Sequence, residues 1–186
     1  MRRFRRKAER EINPREKALM LLTIISIVVA ALSLSQQRVG ARELIVGNAD
    51  IKDLSTEGFV QVRLQAGVNG TRGVLAMQSG CYRLVAGTDV AQAESIKAAL
   101  EGESGPRPNS HELMRDVFKH LGVDVVMVKV TELRGNNFIG RTILKQGDVL
   151  LNLDSKPSDG AALALRTGAP IYFNETLMKE MGEKIC

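Results

Sequence analysis

The chain has 186 residues, with 26 Lys/Arg against 21 Asp/Glu, which suits one ordinary domain plus an extension. Residues 1–17 hold eight Lys/Arg and three Glu and so account for the whole net charge of +5. The remainder is balanced, and the basic pI of about 9.4 is no argument that the domain binds nucleic acid. Cys81 and Cys186 are the only cysteines, which excludes a cysteine metal cluster and a disulfide framework. The two could pair if both faced an oxidising compartment.

Residues 1–17 read as a basic cytoplasmic tail. An uncharged run of 17 residues follows, from Ala18 to Leu34. At ~1.5 Å per residue it extends roughly 25 Å, within the accepted range for a membrane span. The expectation is a transmembrane anchor over 18–35, with the basic flank inside and the domain outside the cytoplasm. The alternative is a secretory signal cleaved near Ser33 or Ser35. Residues 36–57 are mixed and polar and read as a stalk. The domain is expected over 58–186.

From Gly58 the pattern turns to strands. Residues 59–64 alternate, 66–72 make a Gly/Asn-rich turn, and strands are expected over 73–77 and 82–85. Asp89 with Gln92 predicts a capping box for a helix ending at Gly102. After a loop over 101–108, Asn109 or Ser110 starts a second helix. Leu113, Met114, Val117, Phe118 and Leu121 form its apolar stripe. Strands are then expected over 123–131, 138–144 and 149–153. Pro157 ends the last of them, and Ser158 is placed to cap a helix that Gly168 and Pro170 stop. This helix is apolar on every face over 161–165, which predicts burial. Asn174 caps a short last helix ending at Gly182. Asn69-Gly-Thr71 and Asn174-Glu-Thr176 match the glycosylation sequon, a weak signal. Each half thus gives three strands and a small-residue helix, an internal echo that predicts a duplicated α+β unit with mainly antiparallel strands.

Asp159 and Arg166 stand two turns apart on one face of the helix that Pro157 opens, roughly 10 Å along its axis. They could frame a small anionic group, or simply complement the helix dipole. Spacing does not decide between these. Asp154-Ser-Lys-Pro-Ser-Asp159 and Ala162-Leu-Ala-Leu-Arg-Thr-Gly-Ala-Pro-Ile171 resemble the C-terminal signature of the bifunctional nuclease (DNase/RNase) domain family. Leu100-Glu-Gly102 followed by Arg107-Pro-Asn-Ser-His-Glu-Leu113 resembles a second signature of that family, in the right order. The resemblance covers roughly residues 58–182. Lys156 stands where the family has Arg, and Gln92 where it usually has Glu.

The resemblance implies hydrolysis of phosphodiester bonds in DNA and RNA with little sequence preference, assisted by Mg2+ or Mn2+. Such chemistry needs a positioned water, cations for the phosphoryl oxygens and a proton for the leaving oxygen. Asp159, Asp154, His111 and Glu112 are the catalytic candidates, with Asp154 and Asp159 also the candidate metal ligands. Arg107, Lys156, Arg166 and Ser158 are the candidate phosphate binders. Glu112, three residues after Asn109, also fits the closing member of a capping box. His120 falls on the opposite helix face from His111 and is left out. The alternative to a nuclease is a non-catalytic, membrane-tethered binding or assembly module, with a homo-oligomer as one form of partnership. Nothing in the sequence supports an NTPase, a serine hydrolase or a zinc protease.

Overall fold

Alternating apolar and polar residues over 63–88 and 123–155 fold into two antiparallel three-stranded meanders, each followed by a helix. The computed structural model describes residues 13–37, 47–48 and 51–186. The tail before residue 13 and most of the segment over 38–50 lie outside the described residues. The chain divides into two units, residues 1–44 and 45–186.

In the first unit Asn13 caps α1 (Pro14–Gln37) by accepting from the Arg15 N–H at 3.2 Å, while Glu16 accepts from the Asn13 N–H at 3.2 Å. Leu19 to Leu22, Ile24, Ile25 and Ile27 to Val29 are all exposed, so the helix has no polar face along this stretch. Thr23 and Ser26 donate their hydroxyls to the carbonyls of Met20 and Thr23. Among the described residues no helix is long and apolar enough to cross a membrane, so the spanning helix expected over 18–35 is not supported.

In the second unit β3 (Arg63–Asn69), β4 (Arg72–Ser79) and β5 (Tyr82–Thr88) lead into α2 (Val90–Glu101). After α3 (Ser110–Leu121), β6 (Val123–Arg134), β7 (Asn137–Gln146) and β8 (Val149–Ser155) lead into α4 (Pro157–Thr167). Then come β9 (Ile171–Asn174), α5 (Glu175–Met181) and β10 (Glu183–Lys184). The expected echo is present in detail. Asp89 and Lys156, the N-caps of α2 and α4, stand 67 residues apart and form an ion pair with each other. The same offset relates β5 to β8, and Gly73 on β4 to Gly140 on β7. A Cβ on Gly73 would lie 2.5 Å from the Asp89 carbonyl oxygen, and one on Gly140 2.6 Å from that of Ser155. Each middle strand therefore carries a glycine where the following helix begins.

The two sheets exchange strands. The six-stranded sheet runs β1-β8-β7-β6-β9-β2, where β1 is Gly47–Asn48 and β2 is Phe59–Gln61; the four-stranded sheet runs β10-β5-β4-β3. Val62 breaks the extended run between β2 and β3 and donates its N–H to Ile171, carrying the chain from one sheet to the other. The only parallel pair among the described strands joins β6 to β9. Ile96 on α2, Val128 and Val130 on β6, Ala161, Ala162 and Ala164 on α4, and Phe173 on β9 share one buried core. Phe138 meets Phe173 edge-on at 5.5 Å. The helix expected to be buried over 161–165 is buried as predicted from 161 to 164.

Part of the segment expected as a stalk belongs to this unit, since β1 pairs with β8 and a 3-10 turn over Ile51–Leu54 lies against the six-stranded sheet. The apolar stripe on α3 is the larger surprise. Leu113, Met114, Val117 and Leu121 are exposed, while His111 and Glu112 on the same helix are buried. A polar network turns α3 this way.

Candidate active site

Three helices meet at the network: α2 presents Ser95, α3 presents His111 and Glu112 from its first turn, and α4 presents Asp159 and Arg166. Asn109 sets the start of α3 through a complete capping box. Its side chain accepts from the His111 and Glu112 N–H groups at 3.0 Å each, and Glu112 accepts from the Asn109 N–H at 2.8 Å. That box places His111 in the first turn, with its ring between α2 and α4.

Ser95 Oγ lies 2.9 Å from His111 Nδ1, and His111 Nε2 lies 3.3 Å from Asp159 Oδ1. Asn109 Nδ2 donates to Ser95 Oγ at 3.4 Å. The Asp159 carboxylate can only accept, so the ring proton belongs on Nε2, and the neutral ring then presents Nδ1 as an acceptor for the Ser95 hydroxyl. Three donors thus point in one direction and end on Asp159. The His111 side chain is 11% exposed and that of Asp159 is 45% exposed, so the relay runs from the interior to a carboxylate in contact with water. Asp159 also sits in the first turn of α4, where the helix dipole favours a negative charge.

Only part of the expected constellation gathers here. His111 and Asp159 are together. Asp154 is not: it alternates with Ser155, whose hydroxyl bonds Thr142 on the α4 side of the sheet at 2.8 Å, and therefore points from the opposite face. Arg166 is turned inward; its guanidinium lies 3.8 Å from Glu112 Oε1, with side chains 4% and 7% exposed, and donates to the Ala162 carbonyl. Burial holds its pKa below the usual value, against the opposing pull of Glu112. Lys156 is engaged by Asp89. Lys156, not Ser158, is the N-cap of α4, because Pro157 occupies the first helical position; Ser158 is buried, and its hydroxyl has no hydrogen-bond partner among the described residues. Asp89 in turn makes no side-chain cap to α2, so the predicted Asp89–Gln92 box is absent. Arg107 remains exposed in the loop before Asn109 and makes no ion pair among the described residues.

With Asp154 across the sheet and Glu112 committed to Arg166, the donors in reach of one another are Asp159 and His111. Among the described residues no set of three or more His, Cys, Asp or Glu is assembled for a metal ion. Two donors are fewer than an oxygen-ligated divalent cation takes from a preformed protein site, so the shared Asp154–Asp159 metal site does not fit this geometry.

One member of the network was invisible as such in the sequence. Ser95 is a single hydroxyl in the small-residue run of α2, and nothing local marks it. Gln92 stands 67 residues before Asp159, the same offset that separates the helix N-caps, and its amide oxygen is buried without a partner among the described residues. The duplication therefore sets an amide where its second copy has the exposed acid.

The sequence model of the bifunctional nuclease domain matches residues 74–185. The chain belongs to the bifunctional nuclease domain family. An uncharacterized protein of Mycobacterium tuberculosis (strain ATCC 25618 / H37Rv) is 34% identical over 95 residues, covering 50% of this chain and 56% of the relative. Bifunctional nuclease 1 of Oryza sativa subsp. japonica is 29% identical over 93 residues, 48% of this chain and 28% of that protein. The match to the bifunctional nuclease of Oryza minuta has the same extent. The chain thus spans about half the length of the first relatives it matches, and less of the plant proteins. The bifunctional nuclease domain as matched takes in the Ser95–His111–Asp159 relay but not α1.

Proposed function

We propose that this bifunctional nuclease domain hydrolyses phosphodiester bonds in DNA and RNA with little sequence preference, using Asp159 as the general base. The observation that carries the reading is the one-way chain of donors from Asn109 through Ser95 and His111 to a water-exposed carboxylate. Asp159 takes a proton from water as the oxygen attacks phosphorus, and passes it to the leaving oxygen as that P–O bond breaks. His111 keeps the carboxylate oriented through its Nε2–H. Arg107, exposed in the loop before α3 and without an ion pair among the described residues, supplies positive charge for the phosphoryl oxygens. Mg2+ or Mn2+ is given no step, because the carboxylates do not converge. The test is degradation of single-stranded DNA and RNA by the purified full chain. Loss of cleavage in Asp159→Asn with an unchanged melting temperature supports it; equal cleavage by that variant ends it.

An address at a membrane, with the domain in an oxidising compartment, is proposed on two grounds. The side chains of α1 are apolar all round over residues 19–29 apart from Thr23 and Ser26, whose hydroxyls are turned onto the helix backbone. Cys81 and Cys186 are joined as a disulfide, a bond that persists outside the reducing cytosol. Protease protection of the domain in intact membrane vesicles tests this.

A second reading, an assembly module that forms homo-oligomers, is favoured by the exposed stripe of Leu113, Met114, Val117 and Leu121. Sedimentation of the full chain and of Val117→Glu separates the two readings: a monomer in both cases leaves the stripe without this role.

A further inference from the structure

The six-stranded sheet has a second face, away from α4, and the candidate nuclease chemistry uses none of it. Lys129 on β6 and Arg141 on β7 are direct cross-strand partners there, and Arg141 is directly opposite Asp154 on β8. Like charges placed directly opposite repel unless something lies between them. Lys129 is 5% exposed and donates from Nζ to the carbonyl oxygens of Asp53 and Ser55, at 2.5 and 2.6 Å, while lying 5.1 Å from the Phe59 ring centroid. An ammonium has three donors, so one is left. Arg141 is half-buried and makes no hydrogen bond or ion pair through its side chain among the described residues.

Over these two cations the segment 52–57 forms a strap. It is tied down by Lys129 and by Asn152, which donates from Nδ2 to Asp53 Oδ1 at 2.8 Å. Between strap and sheet is a cavity of about 380 Å3, within the range of small-molecule sites. Arg141, Lys129 and Lys52 line it against Asp53 and Glu57, and Asn152 Oδ1 is buried there with no hydrogen-bond partner among the described residues. Asn152 lies diagonally across from Arg141 on the neighbouring strand, roughly 7 Å away by sheet geometry. The cavity is therefore lined by a guanidinium and an ammonium from directly paired strand positions, with a buried acceptor on the next strand.

We propose that this cavity is a binding site for a small organic anion that also carries a hydrogen-bond donor. The carboxylate or phosphate of the ligand bridges Arg141 and Lys129, and its hydroxyl or amine donates to Asn152 Oδ1. The anion relieves the repulsion between the facing cations, and the donor satisfies Asn152 Oδ1, a buried acceptor without a partner among the described residues. The site is separate from the Ser95–His111–Asp159 relay, because the sheet lies between them.

The experiment is thermal unfolding of the full chain titrated with inorganic phosphate, uridine 5′-monophosphate and lactate, which distinguish a phosphate from a carboxylate source. At least one should raise the melting temperature saturably, and the two whose alcohol hydroxyl stands apart from the anionic group should act at lower concentration than inorganic phosphate. Arg141→Gln should weaken the effect roughly ten- to a hundredfold, the loss expected for a charged hydrogen bond. Asp154→Asn, which removes the neighbouring carboxylate, should strengthen it. Asp159→Asn should leave it unchanged, so failure of the nuclease reading does not touch this one. No shift with any of the three anions overturns the proposal, as does an equal shift in Arg141→Gln or disappearance of the shift in Asp159→Asn.

Discussion

Arg166 and Glu112 face each other at 3.8 Å with side chains 4% and 7% exposed, and this buried pair, not a substrate phosphate, is what α4 uses its arginine for. Glu112 is satisfied on its other oxygen by the Asn109 N–H, so the pair ties α4 to the capping box that orients His111. Removing one partner strands the other charge in the interior. Arg166→Ala is expected to cost about 3 kcal/mol or more, whereas replacing both partners with apolar residues of similar volume should cost far less. Urea unfolding of the two single variants and the double variant gives the comparison. Near-additive losses would show that the two side chains do not act as a pair.

Ser95 is expected to matter through His111 alone. Ser95→Ala removes the acceptor of the Asn109 amide and the donor to Nδ1, freeing the ring to exchange tautomers. If Asp159 is the base, kcat should fall about tenfold or more with KM little changed, because the loss is confined to orientation of the base. His111→Gln should fall further. A variant with unchanged rate would leave Ser95 a packing residue.

The elements were largely legible in the residues, because their signals are local. Asn109, Gly122, Asn174 and Gly168 mark helix ends, and alternation marks the meanders. The duplicated halves could also be read, since 161–164 and the run before Gly102 share small residues that let α2 and α4 pack closely. The failures share one cause: a side chain's partner is chosen across the fold. Asp154 and Asp159 are close in sequence, but a strand residue's direction is fixed by its parity, and one position would have reversed it. Lys156 and Asp89 found each other through the pseudo-symmetry, which left the predicted cap to α2 unmade. The stripe on α3 has helical periodicity, yet the capping box and the buried His111 and Glu112 turn it outward.

Gly160 lets α4 lie on the sheet beneath the relay. A Cβ there would stand 2.9 Å from Val128 Cγ1 and 3.1 Å from Thr142 Oγ1. Alanine in a helix interior gains about 1 kcal/mol over glycine, but Val128 is a fully buried β-branched side chain that cannot rotate away cheaply. Overpacking costs ~1–3 kcal/mol and is expected to win, so Gly160→Ala should lower stability. It should also lower any cleavage rate more than Gly87→Ala, whose Cβ meets nothing within 4 Å. Thermal melts and rates of the two variants decide the point.

Lys129 gives the fold a pH dependence on the alkaline side. Burial holds its ammonium below the usual lysine range, with Asp53 pulling the other way. The unfolded chain therefore keeps this proton to higher pH than the folded one. Stability attributable to Lys129 should rise as pH increases from its lowered folded pKa toward 10.5, the unfolded value. Lys129→Met should lose that slope and, having lost the bonds to Asp53 and Ser55, should free the strap to exchange its amides faster. Urea unfolding across pH 8 to 10 checks the slope, and hydrogen exchange over 52–57 checks the strap.

The Cys81–Cys186 disulfide joins the turn before β5 to the last residue across a sequence separation of 105. It lies beside a short ladder: β10 pairs with β5 through Glu183–Arg83 and Lys184–Tyr82, and the Ile185 N–H donates to the Cys81 carbonyl at 2.8 Å. Two paired residues are too few to hold a strand in place, so the covalent link is what keeps β10 on the edge of the sheet. Closing a loop of this length is worth about 5 kcal/mol through the unfolded chain, a large part of the stability of a domain this size. Reduction, or Cys186→Ser, is expected to lower the melting temperature and to release amides at β10 first, while α5 stays docked through the buried Met178. The relay on α2, α3 and α4 has no contact with the bridge in this sheet, so cleavage measured well below the new melting temperature should persist. If reduction abolished cleavage while the melting temperature held, the bridge would have a role in the site that these contacts do not account for.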